Sequence, residues 1–195
     1  MHCFLDFHKI VGSDERKEDS LMFRKWMQLV GVSILAISLS GCGKSLETQI
    51  DSGLSLTNTV YADEPKETNE KVGNIQFFIP NGYTIEDKEE DVNILLSKGQ
   101  ESYILFVNEK EGADSQLHYE NLKQDASKDI VEDQTFEKDG VFGFSAVIKN
   151  SKDAYELVVS LGGVKMTTIS PEEKIEGNLE DMLKIVRSVK LKETK

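Results

Sequence analysis

The chain of 195 residues carries 23 basic and 35 acidic side chains, a formal net charge of −12, and 38% hydrophobic residues. This length and apolar content suit one folded domain with tails, and they exclude several large domains or a wholly disordered chain. The acidity repels nucleic-acid phosphates, so we expect no nucleic-acid partner. Two cysteines, Cys3 and Cys42, are too few for a multi-disulfide scaffold or a Cys-rich zinc site.

Residues 22–41 have the three parts of a secretion signal. Arg24 and Lys25 precede an apolar run over 29–39, and small residues then lead to Cys42. The run has about 11 residues, whereas a transmembrane helix needs roughly 20. The pattern predicts a signal peptide over 22–41; the alternative is an ordinary buried helix followed by a buried thiol.

The end of this stretch, Leu39-Ser40-Gly41-Cys42, resembles the lipobox of bacterial lipoproteins. The resemblance implies that lipoprotein signal peptidase recognises the first three residues, cleaves before Cys42, and leaves Cys42 as the first mature residue. It also implies a diacylglyceryl group, with palmitate-type chains, on the Cys42 thiol. Two acyl chains make a stable anchor, because each buried methylene contributes about 0.8 kcal/mol. We therefore expect a lipid-anchored protein on the extracytoplasmic face of a bacterial cell membrane.

The residues before the signal fit it badly, because acidic side chains outnumber basic ones over 1–21. We expect 1–21 to be a mis-assigned extension and translation to start at Met22. A second cleavage site, ending at Ala62, mimics an ordinary signal-peptidase site. It lies more than 20 residues beyond the apolar run, which is too far for that enzyme.

The segment from Gly41 to Ser45 also ends like a phosphate-binding loop. The full pattern needs glycine where this chain has Ser38, and the polar sequence that follows predicts no long amphipathic helix. Nucleotide binding is therefore not expected. Residues 42–71 are instead rich in Ser, Thr, Asn, Asp and Glu, which predicts a flexible tether with an r.m.s. reach on the order of 30 Å.

Alternating apolar residues predict the strands of a domain over residues 72–195. The predicted strands cover 74–80, 92–96, 103–107, 130–136, 142–148, 155–161 and 164–169. The predicted helices cover about 115–127 and the segment that Asn178 caps, giving the order β-β-β-α-β-β-β-β-α. Successive hairpins predict an α+β fold with an antiparallel β-sheet and two covering helices.

Two segments of this domain, IQFFIPNGY at the start and MLKIVRSVKL at the end, resemble the PsbP-like fold. The resemblance spans about residues 73–192. It implies a fold also found in small bacterial lipoproteins, some of which are binding or assembly factors. It assigns no binding-site residue.

The search for chemistry begins with His118, the single histidine after Cys42. One imidazole cannot build a histidine-rich metal site, and it offers one possible base for a catalytic triad. We expect His118 to be partly exposed, and we expect no catalytic residue, metal or cofactor. The acidic run 86–91 lacks the Asp/Asn alternation of a calcium loop and is interpreted as a solvated connection.

Aromatic side chains at strand spacing are expected in the core: Phe77, Phe142, Phe144 and Tyr155. Phe78 points the other way and would mark a partner surface if exposed. The sequence favours a non-enzymatic domain that binds a protein or envelope component. An acid-residue hydrolase is the alternative, which a cleft with two carboxylates would favour and a flat apolar surface would not.

Overall fold

The computed structural model describes residues 44–86 and 93–191. The extension 1–21, the signal 22–41, Cys42 and most of the acidic run 86–91 lie outside these residues. The elements in chain order are α1 (Leu46–Ala62), β1 (Glu70–Val72), β2 (Ile75–Phe77), β3 (Thr84–Ile85), β4 (Asn93–Lys98), β5 (Glu101–Val107), α2 (Leu117–Gln124), β6 (Asp129–Lys138), β7 (Val141–Lys149), β8 (Ala154–Leu161), β9 (Val164–Pro171), a 3₁₀ turn (Glu172–Lys174), α3 (Ile175–Ser188) and β10 (Lys190–Leu191).

The main sheet is antiparallel and has seven strands in the order β3-β4-β5-β9-β8-β7-β6. The hairpins β4-β5, β6-β7, β7-β8 and β8-β9 follow the alternating sequence pattern, and β5 joins β9 at the centre. The predicted α+β class and the antiparallel sheet are confirmed. The strand predicted over 74–80 is shorter and belongs to a second small sheet, in which β2 lies between β1 and β10.

Helices α1 and α3 cover one face of the main sheet and enclose the larger core. Helix α3 lies against β8 and β9, and α1 lies against α3, β6 and β7. Side chains of both helices share this core with inward residues of the strands, and its members include Ile50, Leu54, Leu96, Leu105, Leu157, Met166, Leu179 and Leu183. The apolar residues of α3 at helical spacing, Leu179, Met182, Leu183 and Val186, are buried in this core. Phe77 and Tyr155 are also in this core, as expected.

Helix α1 corrects the predicted tether, because residues 46–62 are a helix packed on the domain. Ile50, Leu54, Thr57 and Tyr61 are buried at helical spacing. The Tyr61 hydroxyl donates to the Ser160 carbonyl at 2.7 Å. The expectation that no long amphipathic helix follows the segment from Gly41 to Ser45 was therefore wrong. It arose because this helix is rich in Ser and Thr.

The second face of the main sheet is covered over the β6-β7-β8 half by α2. Leu122 and Tyr119 of α2 pack on Phe142 and Phe144, which confirms these aromatic residues as core. Helix α2 begins after Gln116, which makes no capping side-chain hydrogen bond, so it is shorter than predicted. The β4-β5-β9 half of the same face has no helix over it among the described elements.

Strand β6 is the longest strand and forms one edge of the main sheet. Its ladder with β7 is interrupted by a bulge between Ile130 and Glu132, and Val131 there is 41% exposed. In the described part of the chain, no helix has the length and apolar character needed to span a bilayer.

Candidate functional site

The described residues contain three features with functional potential. They are a buried polar cluster, an uncovered apolar patch of the sheet, and a small pocket between helix ends. None of the residues predicted to direct lipidation, Leu39, Ser40, Gly41 and Cys42, is among the described residues.

The polar cluster comprises Glu101, Tyr103, Ser170, Lys174 and Asn178. The Tyr103 hydroxyl donates to Glu101 Oε2 at 2.8 Å and lies 3.0 Å from Asn178 Oδ1. Asn178 Nδ2 donates to the same Glu101 oxygen at 2.6 Å and to Ser170 Oγ at 2.9 Å. Lys174 forms an ion pair with the other Glu101 oxygen. Asn178 was expected to cap α3; the helix instead begins at Ile175, and Asn178 joins it to the sheet.

A second layer of polar residues lies beside the cluster. Tyr83 stacks on Tyr103 with ring centroids 5.1 Å apart, and its hydroxyl lies 3.4 Å from Asp181 Oδ2. Lys98 pairs with Asp181 at 2.7 Å, and its ammonium lies 5.0 Å from the Tyr83 ring centroid. Both carboxylates of this region, Glu101 and Asp181, therefore have cationic partners.

The electrostatics of the cluster oppose acid catalysis. Burial alone raises the pKa of the Glu101 carboxyl, but hydrogen bonds from Lys174, Tyr103 and Asn178 outweigh it and hold the net pKa below its usual value. Burial and the hydrogen bond to Glu101 raise the pKa of Tyr103, which stays a neutral donor. A general acid for glycoside hydrolysis needs a carboxyl with a raised pKa, and the pKa of Glu101 is lowered instead.

The uncovered patch, called the open face below, consists of Leu95, Ile104, Phe106 and Ile169. Leu95 lies opposite Ile104 in the β4-β5 ladder, and Ile104 lies opposite Thr167 in the β5-β9 ladder. Leu95, Ile104 and Ile169 are 38%, 47% and 46% exposed. Three large aliphatic side chains are therefore exposed on one face of the sheet.

His118 lies where α2 meets the open face. Its ring contacts Phe106 edge-on, with centroids 5.6 Å apart, and its Nε2 lies 3.4 Å from the Gly163 carbonyl. His118 is buried, so the expectation of partial exposure was wrong: it is packed between α2 and the β8-β9 turn. Burial lowers its pKa.

The remaining predicted positions carry little chemistry. Of the acidic run, the described Glu86 accepts a hydrogen bond from the Ser97 hydroxyl. Phe78 is half-buried, and its backbone N–H donates to Ser188 Oγ at 2.8 Å, so it adds nothing to the open face. Within residues 44–86 and 93–191, no group of three or more His, Cys, Asp or Glu is placed to hold a metal ion.

The third feature, called the helix-end pocket below, has a volume of about 110 Å³ and lies between the C-terminal ends of α1 and α3. Its charged lining residues are Asp63, Glu64, Lys66, Lys184 and Arg187. Lys66 and Lys184 are more than 100 positions apart, so the sequence shows no basic cluster here. Folding brings them together.

No family model matches the chain, and no curated protein matches it. Among solved structures, the chain is similar to the solution structure of cyanobacterial PsbP (CyanoP) from Synechocystis sp. PCC 6803. The two are 13% identical, the match covers 64% of this chain and 92% of that one, and the TM-score is 0.38. The fold class here is established by the sheet order and helix positions of the chain itself.

Proposed function

We propose that this chain is a membrane-anchored, extracytoplasmic lipoprotein whose small α+β domain binds a protein partner through the open face. The anchor is a diacylglyceryl group on Cys42, supported by the charged start, apolar run and lipobox of residues 22–42. The open face supports binding over hydrolysis, because exposed apolar side chains on one sheet face suit association. The carboxylates of Glu101 and Asp181 are already paired with Lys174 and Lys98.

The packed helix α1 changes the geometry expected for the anchor. Helix α1 begins at Leu46, so three residues separate Cys42 from it. These residues span about 10 Å at most. The proposed lipoprotein therefore holds its domain close to the bilayer instead of some 30 Å away, as a free tether would.

The charge of the chain indicates the kind of partner. Five basic and five acidic residues precede Cys42, so residues 42–195 carry the whole net charge of −12. An anionic leaflet repels such a domain, whereas a protein with a positively charged surface is attracted to it. We therefore propose a partner with apolar residues for the open face and basic residues around them.

The anchor is tested by Cys42→Ser and intact-mass measurement of membrane-extracted protein. The parent chain is expected to start at Cys42 and to carry acyl mass, and the variant is expected to accumulate uncleaved. A mature parent chain with another first residue, or without acyl mass, contradicts the anchor.

The partner surface is tested with a photo-crosslinking residue at Ile104 and, as a matched control, at Val131. Both are exposed β-branched strand positions, at 47% and 41%, on different parts of the sheet. In intact cells, position 104 is expected to give one discrete protein adduct, which Leu95→Lys weakens and which position 131 does not give. No adduct at 104, or equal adducts at both positions, contradicts binding through the open face.

A further inference from the structure

The helix-end pocket contains an arginine whose hydrogen bonding is incomplete. The Nε atom of Arg187 is buried and has no hydrogen-bond partner, the one such side-chain nitrogen or oxygen in the described residues. Its Nη2 makes a long hydrogen bond of 3.4 Å to the Asp63 carbonyl. A guanidinium has five N–H donors in a fixed fork, and a buried donor without an acceptor destabilises the fold. A hydrogen-bond acceptor that enters the pocket and draws the Arg187 guanidinium toward it would give this donor a partner.

Two lysines add positive charge to the pocket beside Arg187. Lys66 is exposed and Lys184 is half-buried, and both line the same depression as Arg187. Lys184 pairs with Glu180 at 2.6 Å, one turn earlier in α3. Asp63 and Glu64 also line the pocket. In the described part of the chain, neither carboxylate forms an ion pair with the lysines or the arginine of the pocket.

We propose that the helix-end pocket binds one oxyanion group, a carboxylate or a phosphate, through the guanidinium fork of Arg187 with Lys66 and Lys184 beside it. Planar, bidentate recognition of such groups is the particular capacity of arginine. The volume of about 110 Å³ suits a single charged group, since pockets for whole drug-sized ligands are about 300–1,000 Å³. The ligand is therefore the charged end of a larger molecule or a small free anion.

The pocket lies at one end of the α1-α3 helix pair. Helix α1 has 17 residues and so is about 25 Å long. Lys44 lies before its first turn, where it pairs with Glu176 at the start of α3, and the pocket lies beyond its last turn. The pocket is thus at the end of the helices opposite to residue 44. This inference does not depend on the proposed anchor at Cys42.

The experiment is an NMR titration of the full-length chain in nonionic detergent, which follows the Arg187 Nε–H signal. The signal is assigned by its loss in Arg187→Lys. Sodium acetate and sodium phosphate are added separately at constant ionic strength, with sodium chloride as the reference salt. We expect a saturable shift of the Nε–H signal with at least one of them, and the tighter of the two distinguishes a carboxylate from a phosphate source.

Variants separate binding from general salt effects. Lys66→Ala is expected to weaken the affinity about threefold, as for a partly exposed charge pair. Arg187→Lys keeps the charge and loses the fork, and backbone signals around the pocket are expected to show about tenfold weaker binding. Lys190→Ala, an exposed lysine outside the pocket, is expected to change nothing. A shift that does not saturate, that chloride reproduces, or that Lys66→Ala and Arg187→Lys leave unchanged overturns the proposal.

Discussion

Replacing Gly53 of α1 by alanine tests whether this helix is part of the packed domain. A Cβ atom at this position would lie 2.6 Å from Leu179 Cδ1 and 3.3 Å from the Glu176 Cα of α3. Leu179 is fully buried, so its side chain has little room to move away. The two helices approach so closely because position 53 has no side chain.

The expected effect is the difference of two terms. Overpacking of this kind costs about 1–3 kcal/mol, whereas a Gly-to-Ala change in a helix interior gains about 1 kcal/mol. Gly53→Ala is therefore expected to lower the free energy of unfolding by about 1 kcal/mol. Gly177 of α3 is the matched control, because a Cβ there meets no atom within 4 Å. Gly177→Ala is expected to raise the free energy of unfolding by up to about 1 kcal/mol.

The assay is thermal unfolding followed by circular dichroism. For a domain of about 150 residues, 1 kcal/mol corresponds to about 2–4 °C in Tm. The expected order of Tm is Gly177→Ala, then the parent, then Gly53→Ala. If Gly53→Ala raises the Tm as Gly177→Ala does, position 53 is solvated, α1 is not packed on α3, and the tether predicted from the sequence is restored.

Three further predictions concern buried polar groups. Tyr61→Phe removes the hydrogen bond to Ser160 and is expected to lower the free energy of unfolding in urea by about 1–2 kcal/mol; an unchanged midpoint contradicts this. The depressed pKa of Glu101 stabilises the fold above its ordinary value of 4.5, and this contribution is lost as pH falls through the lower folded value. Glu101→Gln should therefore lose less stability than the parent between pH 6 and pH 3, and equal losses contradict the assignment. The lowered pKa of His118 means that the folded state favours neutral imidazole, so stability present above its ordinary value of 6.5 is lost as pH falls through the lower folded value. The Tm of the parent should fall more between about pH 7 and pH 5 than that of His118→Gln; parallel curves exclude this role.

The sequence predicts most of the main sheet, because its strands alternate strictly. Seven strands were predicted, and six of them lie in the main sheet at nearly the predicted places, β6 among them. The two-residue strands β3 and β10 were missed because such short pairings leave no periodic signal. The central pairing of β5 with β9 also has no local signal, since it joins strands from different hairpins.

Helix α1 was missed because its composition is that of a spacer. Ser, Thr, Asn and Asp disfavour helix interiors, and here tertiary packing overrides that preference. The spacing of Ile50, Leu54 and Tyr61, after a possible N-cap at Ser45, is the signal that was available. The polar cluster and the helix-end pocket had no such signal, because each combines residues from elements that are distant along the chain. Asn178 is an example. Its neighbours along the chain predict a helix cap, whereas its hydrogen-bond partners Glu101 and Ser170 lie in other elements.

The edge strand β6 also affects whether copies of the domain aggregate at high concentration. An unpaired strand edge ten residues long is a template on which an identical chain can add itself and begin a fibre. The bulge at Val131 breaks the straight row of backbone donors and acceptors, and the exposed Glu132 and Glu137 bring like charges together if two such edges meet. Straightening this strand by deleting Val131, with the acidic residues replaced by threonine, is therefore a route from a dispersed domain to an aggregating one.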